Sequence, residues 1–130
     1  MLVDLVTKKR GDVFMQANEE GVLVVTGDEI AKVASALSSP VRLNILKMVA
    51  ENTKVDIDAL AKKLGKSKAN ISTQVRILEE AGLIKSTYAP GKRGVKKLCM
   101  SNIKEIRLLI EDSHIEAQMA VASPQGQASE

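Results

Sequence analysis

Between Ser67 and Arg76 the chain places Lys68, Asn70, Thr73, Gln74 and Arg76, offering ammonium, amide, hydroxyl and guanidinium groups in one short stretch. These groups suit the edges of base pairs. Asn and Gln can form paired bonds to adenine, Thr can touch a thymine methyl or a phosphate, and Lys and Arg reach guanine or the backbone. A second group, Lys92, Arg93, Lys96 and Lys97, lies on or beside a turn bounded by Gly91 and Gly94. Such a turn can enter a minor groove or lie along phosphates, adding affinity more than sequence choice. From Lys62 to Lys97 ten basic residues face two acidic ones, a net +8, while the rest of the chain carries −5. Positive charge concentrated in this way calls for a polyanion. A merely solvated lysine surface suits Lys62 and Lys63 but not the whole cluster.

Other chemistry finds little support. The single His114 and single Cys99 complete no Ser/His/Asp or Cys/His constellation, no carboxylate pair stands out, and no enzyme is read here. Neither a cofactor nor a small-molecule ligand is evident, and one Cys with one His cannot close a tetrahedral metal site within one chain. A site bridging two copies through Asp112, His114 and Glu116 stands against an idle, exposed His. Cys99 reads either as a redox switch near Lys96 and Lys97 or as a small apolar filler. Gly65-Lys66-Ser67 copies the end of a phosphate-binding loop, yet Leu60 stands where that motif needs Gly. With one Phe, one Tyr and no Trp, the chain lacks the aromatic faces on which single strands stack.

A chain of 130 residues, 45% of them hydrophobic, fits one globular domain. No apolar run is long enough to span a bilayer and Met1–Arg10 lacks signal-peptide order, so the expected compartment is cytoplasmic, with no membrane partner. Asp12–Asn18 and Val22–Thr26 read as a hairpin. A first helix is expected to begin near Thr26 to Asp28, with Thr26 and Glu29 at capping-box spacing. Ser39-Pro40 opens a second helix, Asp56 caps a third running to Leu64, and Gly65 stops it. Ser67 caps a fourth, predicted over 68–81, whose Ile71, Val75 and Leu78 must face the core. That leaves Lys68, Asn70, Thr73, Gln74 and Arg76 turned outward or to the flank; the competing reading is the polar half of an ordinary amphipathic helix. Leu83–Tyr88 and Val95–Met100 read as strands around a basic turn at 89–94, and Ser101 as the cap of a last helix carrying Ile103, Ile106, Leu109 and Ile110. From Ala122 the Pro, Gln, Gly and Ser content suggests a frayed tail.

Helix, helix, helix-turn-helix, basic hairpin, helix is a winged-helix order. Ala36-Leu37-Ser38-Ser39-Pro40-Val41-Arg42-Leu43-Asn44-Ile45-Leu46, Leu60–Gly65 and Ser72–Ile84 together resemble the ArsR family of bacterial and archaeal regulators. The fold expected is mainly α with a small β component, an α-α-α-α-β-β-α core preceded by a hairpin. Its divisions are residues 1–27 as the hairpin extension, 28–121 as the winged helix-turn-helix domain and 122–130 as the tail. The resemblance implies a transcription regulator, in the repressor sense, that binds double-stranded DNA as a homodimer through its first and last helices. Ile103, Ile106, Leu109 and Ile110 are then the dimerisation residues; the alternative is that this helix only covers its own core. The metal-binding Cys of many relatives is missing around Val55–Ala59. Within DNA binding, the competing function is an architectural protein coating duplex with little sequence preference.

Overall fold

The computed structural model describes residues 16–111. Its elements run β1 (Val22–Thr26), α1 (Glu29–Ala36), α2 (Pro40–Glu51), β2 (Val55–Asp56), α3 (Ile57–Leu64), α4 (Lys68–Glu80), β3 (Lys85–Gly91), β4 (Gly94–Met100) and β5 (Glu105–Leu109). The helix boundaries follow from local chemistry. The Ser39 hydroxyl accepts from Arg42 N with Pro40 at the first helical position, the Asp56 carboxylate accepts from Ala59 N at 2.7 Å, and Ser67 Oγ accepts from Asn70 N at 3.0 Å. Each side chain satisfies a backbone donor that the first helical turn leaves without a partner. Gly65 ends α3 at φ +65, a left-handed conformation that costs a residue without Cβ little, and Lys66 N then reaches back to Ala61 O at 3.0 Å.

The core collects one face from each helix. Val33, Ile45, Val49, Leu60, Ile71, Val75 and Leu78 are sealed from solvent together with Leu83, Ile84 and Cys99. Strands β2, β4 and β3 form an antiparallel sheet in that order, and β1 pairs with β5 in parallel. Helices α3 and α4, joined through Gly65-Lys66-Ser67, make the expected helix-turn-helix, and β3–β4 is the wing.

Three local expectations are corrected. The last helix, predicted from Ser101 onward, is replaced over Glu105–Leu109 by β5. The Ser101 hydroxyl accepts from Ile103 N two residues on, making a turn. Lys104 N and Glu105 N both donate to Gly21 O, at 2.7 and 3.0 Å, where a helix would send Glu105 N to its own preceding turn. Ile103, Ile106 and Ile110 have helical spacing, but the pairing with β1, Val22 opposite Glu105 through Thr26 opposite Leu109, decides the conformation. Val22–Thr26 therefore pairs with β5; of its expected hairpin partner Asp12–Asn18, residues 12–15 lie outside the described residues and Gln16–Asn18 form no strand. Thr26 ends β1, so the capping box with Glu29 does not form, and α1 starts from a turn in which Ile30 N donates to Gly27 O.

Candidate nucleic-acid interface

The outward face of α4 is set by what its inward face buries. With Ile71, Val75 and Leu78 fully enclosed, Lys68, Asn70, Thr73 and Arg76 emerge exposed and Gln74 half-buried on the flank. Ser67 and Lys68 stand at the helix N-terminus, whose free N–H groups and dipole favour an anion. Thr73 Oγ1 donates back to Ala69 O at 3.1 Å, which spends its hydrogen within the helix. Lys68 Nζ lies 3.1 Å from Asp58 on α3, with both side chains about two-thirds exposed (68% and 65%). A pair so solvated is worth little and yields readily to a phosphate.

The wing is longer than its sequence suggests. Pairing runs from Lys85 opposite Met100 to Gly91 opposite Gly94, so the strands extend through Ala89-Pro90-Gly91 and only Lys92-Arg93 remain as the tip. Gly94 sits at φ +106, where a side chain would be strained. Lys92 and Arg93 are exposed and form no ion pair with any described residue, and the same holds for Arg76. Lys96 and Lys97 differ. Lys96 Nζ is 3.1 Å from Asp56, and Lys97 Nζ is 3.1 Å from Glu79 with only 25% of its side chain exposed. Glu79 also accepts from the Ser86 hydroxyl. One carboxylate at the end of α4 thus holds both wing strands, so Lys97 fixes the wing's angle to the helix.

Three residues have roles in this geometry that were not read from the sequence. Glu79 is the first; in sequence it only interrupts a basic segment. Arg42 is the second, half-buried in the first turn of α2. Its Nε donates to Ala36 O at 2.8 Å and its Nη1 to Gln74 Oε1 at 2.7 Å. Asp56 is the third, read as a cap but not as an ion-pair partner. Its backbone bond from Ala59, followed by its bond and charge interaction with Lys96, holds its carboxyl below the usual aspartate range. A carboxylate depressed in the folded state adds stability above its unfolded pKa that is lost as pH falls through the folded one. Asp56→Ala is therefore expected to cost about 0.5–2 kcal/mol at neutral pH. In thermal melts the wild-type advantage should shrink as the pH is lowered below about 4, and a pH-independent difference would rule this account out.

Cys99 is completely buried on β4, and burial, with Glu79 nearby, pushes its thiol up to about 11. A thiol of that kind is protonated and a poor nucleophile, which favours the apolar-filler reading. Folded protein should therefore label with a thiol reagent no faster than it opens, and denaturant should release the full reactivity. Among the described residues no three His, Cys, Asp or Glu side chains gather as a metal site. Asp112, His114 and Glu116 lie outside the described residues.

The expected dimerisation residues separate. Ile103 is enclosed in the protein's own core, Ile106 and Leu109 are half-buried on or beside β5, and Ile110 is 82% exposed. Ile106 also lines an open groove of about 570 Å³ with Leu37, Leu43, Leu46 and Ala50, edged by Lys47, Glu51, Lys104 and Glu105. No helix formed by the described residues is long and apolar enough to cross a membrane.

Comparison with known proteins agrees with this architecture. The family HVO_A0114 matches residues 37–100, from the end of α1 to the end of the wing. An uncharacterized HTH-type transcriptional regulator of Methanocaldococcus jannaschii is 29% identical over 85 residues, covering 65% of this chain and 94% of that one. The crystal structure of a possible transcriptional regulatory protein (fragment 1–100) from Mycobacterium bovis superposes with a TM-score of 0.50 at 24% identity, over 58% of this chain and 75% of that one. A solution structure from the same organism is described as a homodimeric winged helix-turn-helix DNA-binding domain of a possible ArsR-family regulator. It gives the same TM-score and identity, over 58% of this chain and 65% of that one. The fold is the winged helix-turn-helix, as the resemblance to the ArsR family implies.

Proposed function

We propose that this winged helix-turn-helix chain is a DNA-binding transcription regulator that reads duplex DNA with α4 and anchors on it with the wing. The observation that carries the reading is the conjunction of two surfaces that the described residues leave open: the exposed Lys68, Asn70, Thr73 and Arg76 face of α4, and the Lys92-Arg93 tip, which pairs with no described carboxylate. No described carboxylate neutralises Arg76, Lys92 or Arg93, so their charge is available to phosphates. Base choice falls to Asn70, Thr73 and Gln74; anchoring falls to Ser67, Lys68, Arg76, Lys92 and Arg93; Lys96 and Lys97 orient the wing.

Two copies are proposed to act together, because a two-fold protein matches two half-sites of a duplex. The exposed apolar groups Leu43, Leu108 and Ile110 support a contact between copies that includes Ile106 and Leu109, and the homodimeric description of the Mycobacterium bovis domain points the same way. Selection from random duplexes tests the reading. Enrichment of a palindromic site supports a sequence-specific regulator, a flat result with strong binding supports the duplex-coating alternative, and no binding at low salt rejects both.

A further inference from the structure

From the donor chain that links α1, α2 and α4, we infer that Arg42 is a positioning residue that turns the recognition helix into a reader of guanine in preference to adenine; this rests on the DNA-binding reading above. Arg42 bridges three elements. Nε donates to Ala36 O at 2.8 Å and Nη2 to Ser35 O at 3.4 Å, which tethers the guanidinium to the end of α1, while Nη1 donates to Gln74 Oε1 at 2.7 Å. Gln74 Nε2 in turn donates to Asn70 Oδ1 at 3.2 Å, one helical turn back along α4.

The direction of this chain is dictated by its first member. A guanidinium has donors and no acceptor, so the Gln74 atom that meets it must be the oxygen. The other end of that amide must then be the nitrogen, and the Asn70 atom facing it must again be an oxygen. One lone pair of each side-chain oxygen is thereby engaged inside the protein. Both hydrogens of Asn70 Nδ2 and the second hydrogen of Gln74 Nε2 have no described acceptor. Asn70 is exposed, so the helix offers hydrogens to the groove.

The paired contact of Asn or Gln with adenine needs the amide oxygen to accept from N6 while the nitrogen donates to N7. For Asn70 that contact would load a second hydrogen onto an Oδ1 already held by Gln74, or require the oxygen to leave its partner in the chain. Guanine presents two adjacent acceptors, N7 and O6, in the major groove, and matches the hydrogens of Asn70 Nδ2 and Gln74 Nε2 that have no described acceptor. Arg42 touches no base in this arrangement. It acts through Gln74, and Gln74 through Asn70.

Two substitutions test the chain by different routes in selections from random duplexes, with thermal melts run in parallel. Arg42→Met removes the donor that fixes Gln74 and leaves both amides able to turn. Gln74→Glu keeps the bond from Arg42 but presents only oxygen to Asn70, which must then donate inward and face its Oδ1 outward. Wild-type sites are expected to carry guanine at one position in each half-site. Arg42→Met should move that position toward adenine by about tenfold, and Gln74→Glu toward adenine or cytosine, whose amino groups donate. The remainder of the site should stay unchanged, which a general loss of stability would not produce. If Arg42→Met does not fold, Gln74→Glu alone decides. Adenine at that position in wild type, or an unchanged guanine in the folded variants, overturns the inference and leaves DNA binding intact. Failure of the wild type to enrich any site rejects the DNA-reading function on which it rests.

Discussion

Leu78→Ala is expected to cost about 2–5 kcal/mol of folding stability and, with it, most duplex binding at ordinary temperatures. Leu78 is fully enclosed on the inner face of α4, in a cluster shared with Val75, Ile71, Leu60 and Ile45. Truncation removes the transfer free energy of the lost carbons and leaves a cavity that close-packed helices fill only in part. A domain of this size has roughly 5–15 kcal/mol in reserve, so one such cavity consumes a large share. The functional loss follows from position. The side chains proposed to meet DNA leave the opposite face of the same helix, and α4 holds its angle chiefly through this buried stripe, with the Glu79 bonds to the wing and the Arg42–Gln74 bond to α2 beside it. Urea unfolding measures the first effect, and binding well below the variant's melting temperature measures the second. A variant as stable as wild type would mean that α4 is held by something other than its apolar face. The control is Ser72→Ala, at an exposed position on the same helix, which should change stability by no more than about 0.5 kcal/mol.

How much of this was legible in the sequence depended on how local each determinant is. Ser39-Pro40, Asp56 and Ser67 set helix starts by bonds to backbone groups three residues away, and all three act as read. The inward stripe Ile71, Val75, Leu78 and the stop at Gly65 are likewise properties of short segments. What escaped was non-local. The region Ser101–Ile110 satisfies a helical period and a strand pattern about equally, and the choice is made by Gly21, some eighty residues away, which accepts from Lys104 and Glu105. The same distance hid the ties within the site. Arg42 and Gln74 are thirty-two residues apart, and Lys97 and Glu79 eighteen. Counting cations placed Lys96 and Lys97 beside Lys92 and Arg93, but only coordinates separate cations that hold the wing from those at its tip, which pair with no described residue.

That separation yields the second large effect. Replacing Lys92 and Arg93 together by Ala should weaken binding to every duplex and lower the slope of log affinity against log salt by about 1.8, at about 0.9 for each phosphate neutralised. The ratio of wild-type to variant affinity should accordingly shrink about tenfold between roughly 50 and 200 mM salt. The melting temperature should hardly move, because the two side chains are exposed at the end of a hairpin and form no ion pair with a described residue. Lys97→Ala should show the reverse pattern, since it strips Glu79 of a half-buried partner and loosens the wing from α4. Its signature is a lower melting temperature and a smaller change in salt slope. Titrations of one selected duplex and one scrambled duplex, each across a salt series, separate the two roles. An unchanged slope in the double variant would show that the tip does not meet phosphate, leaving α4 as the whole of the contact.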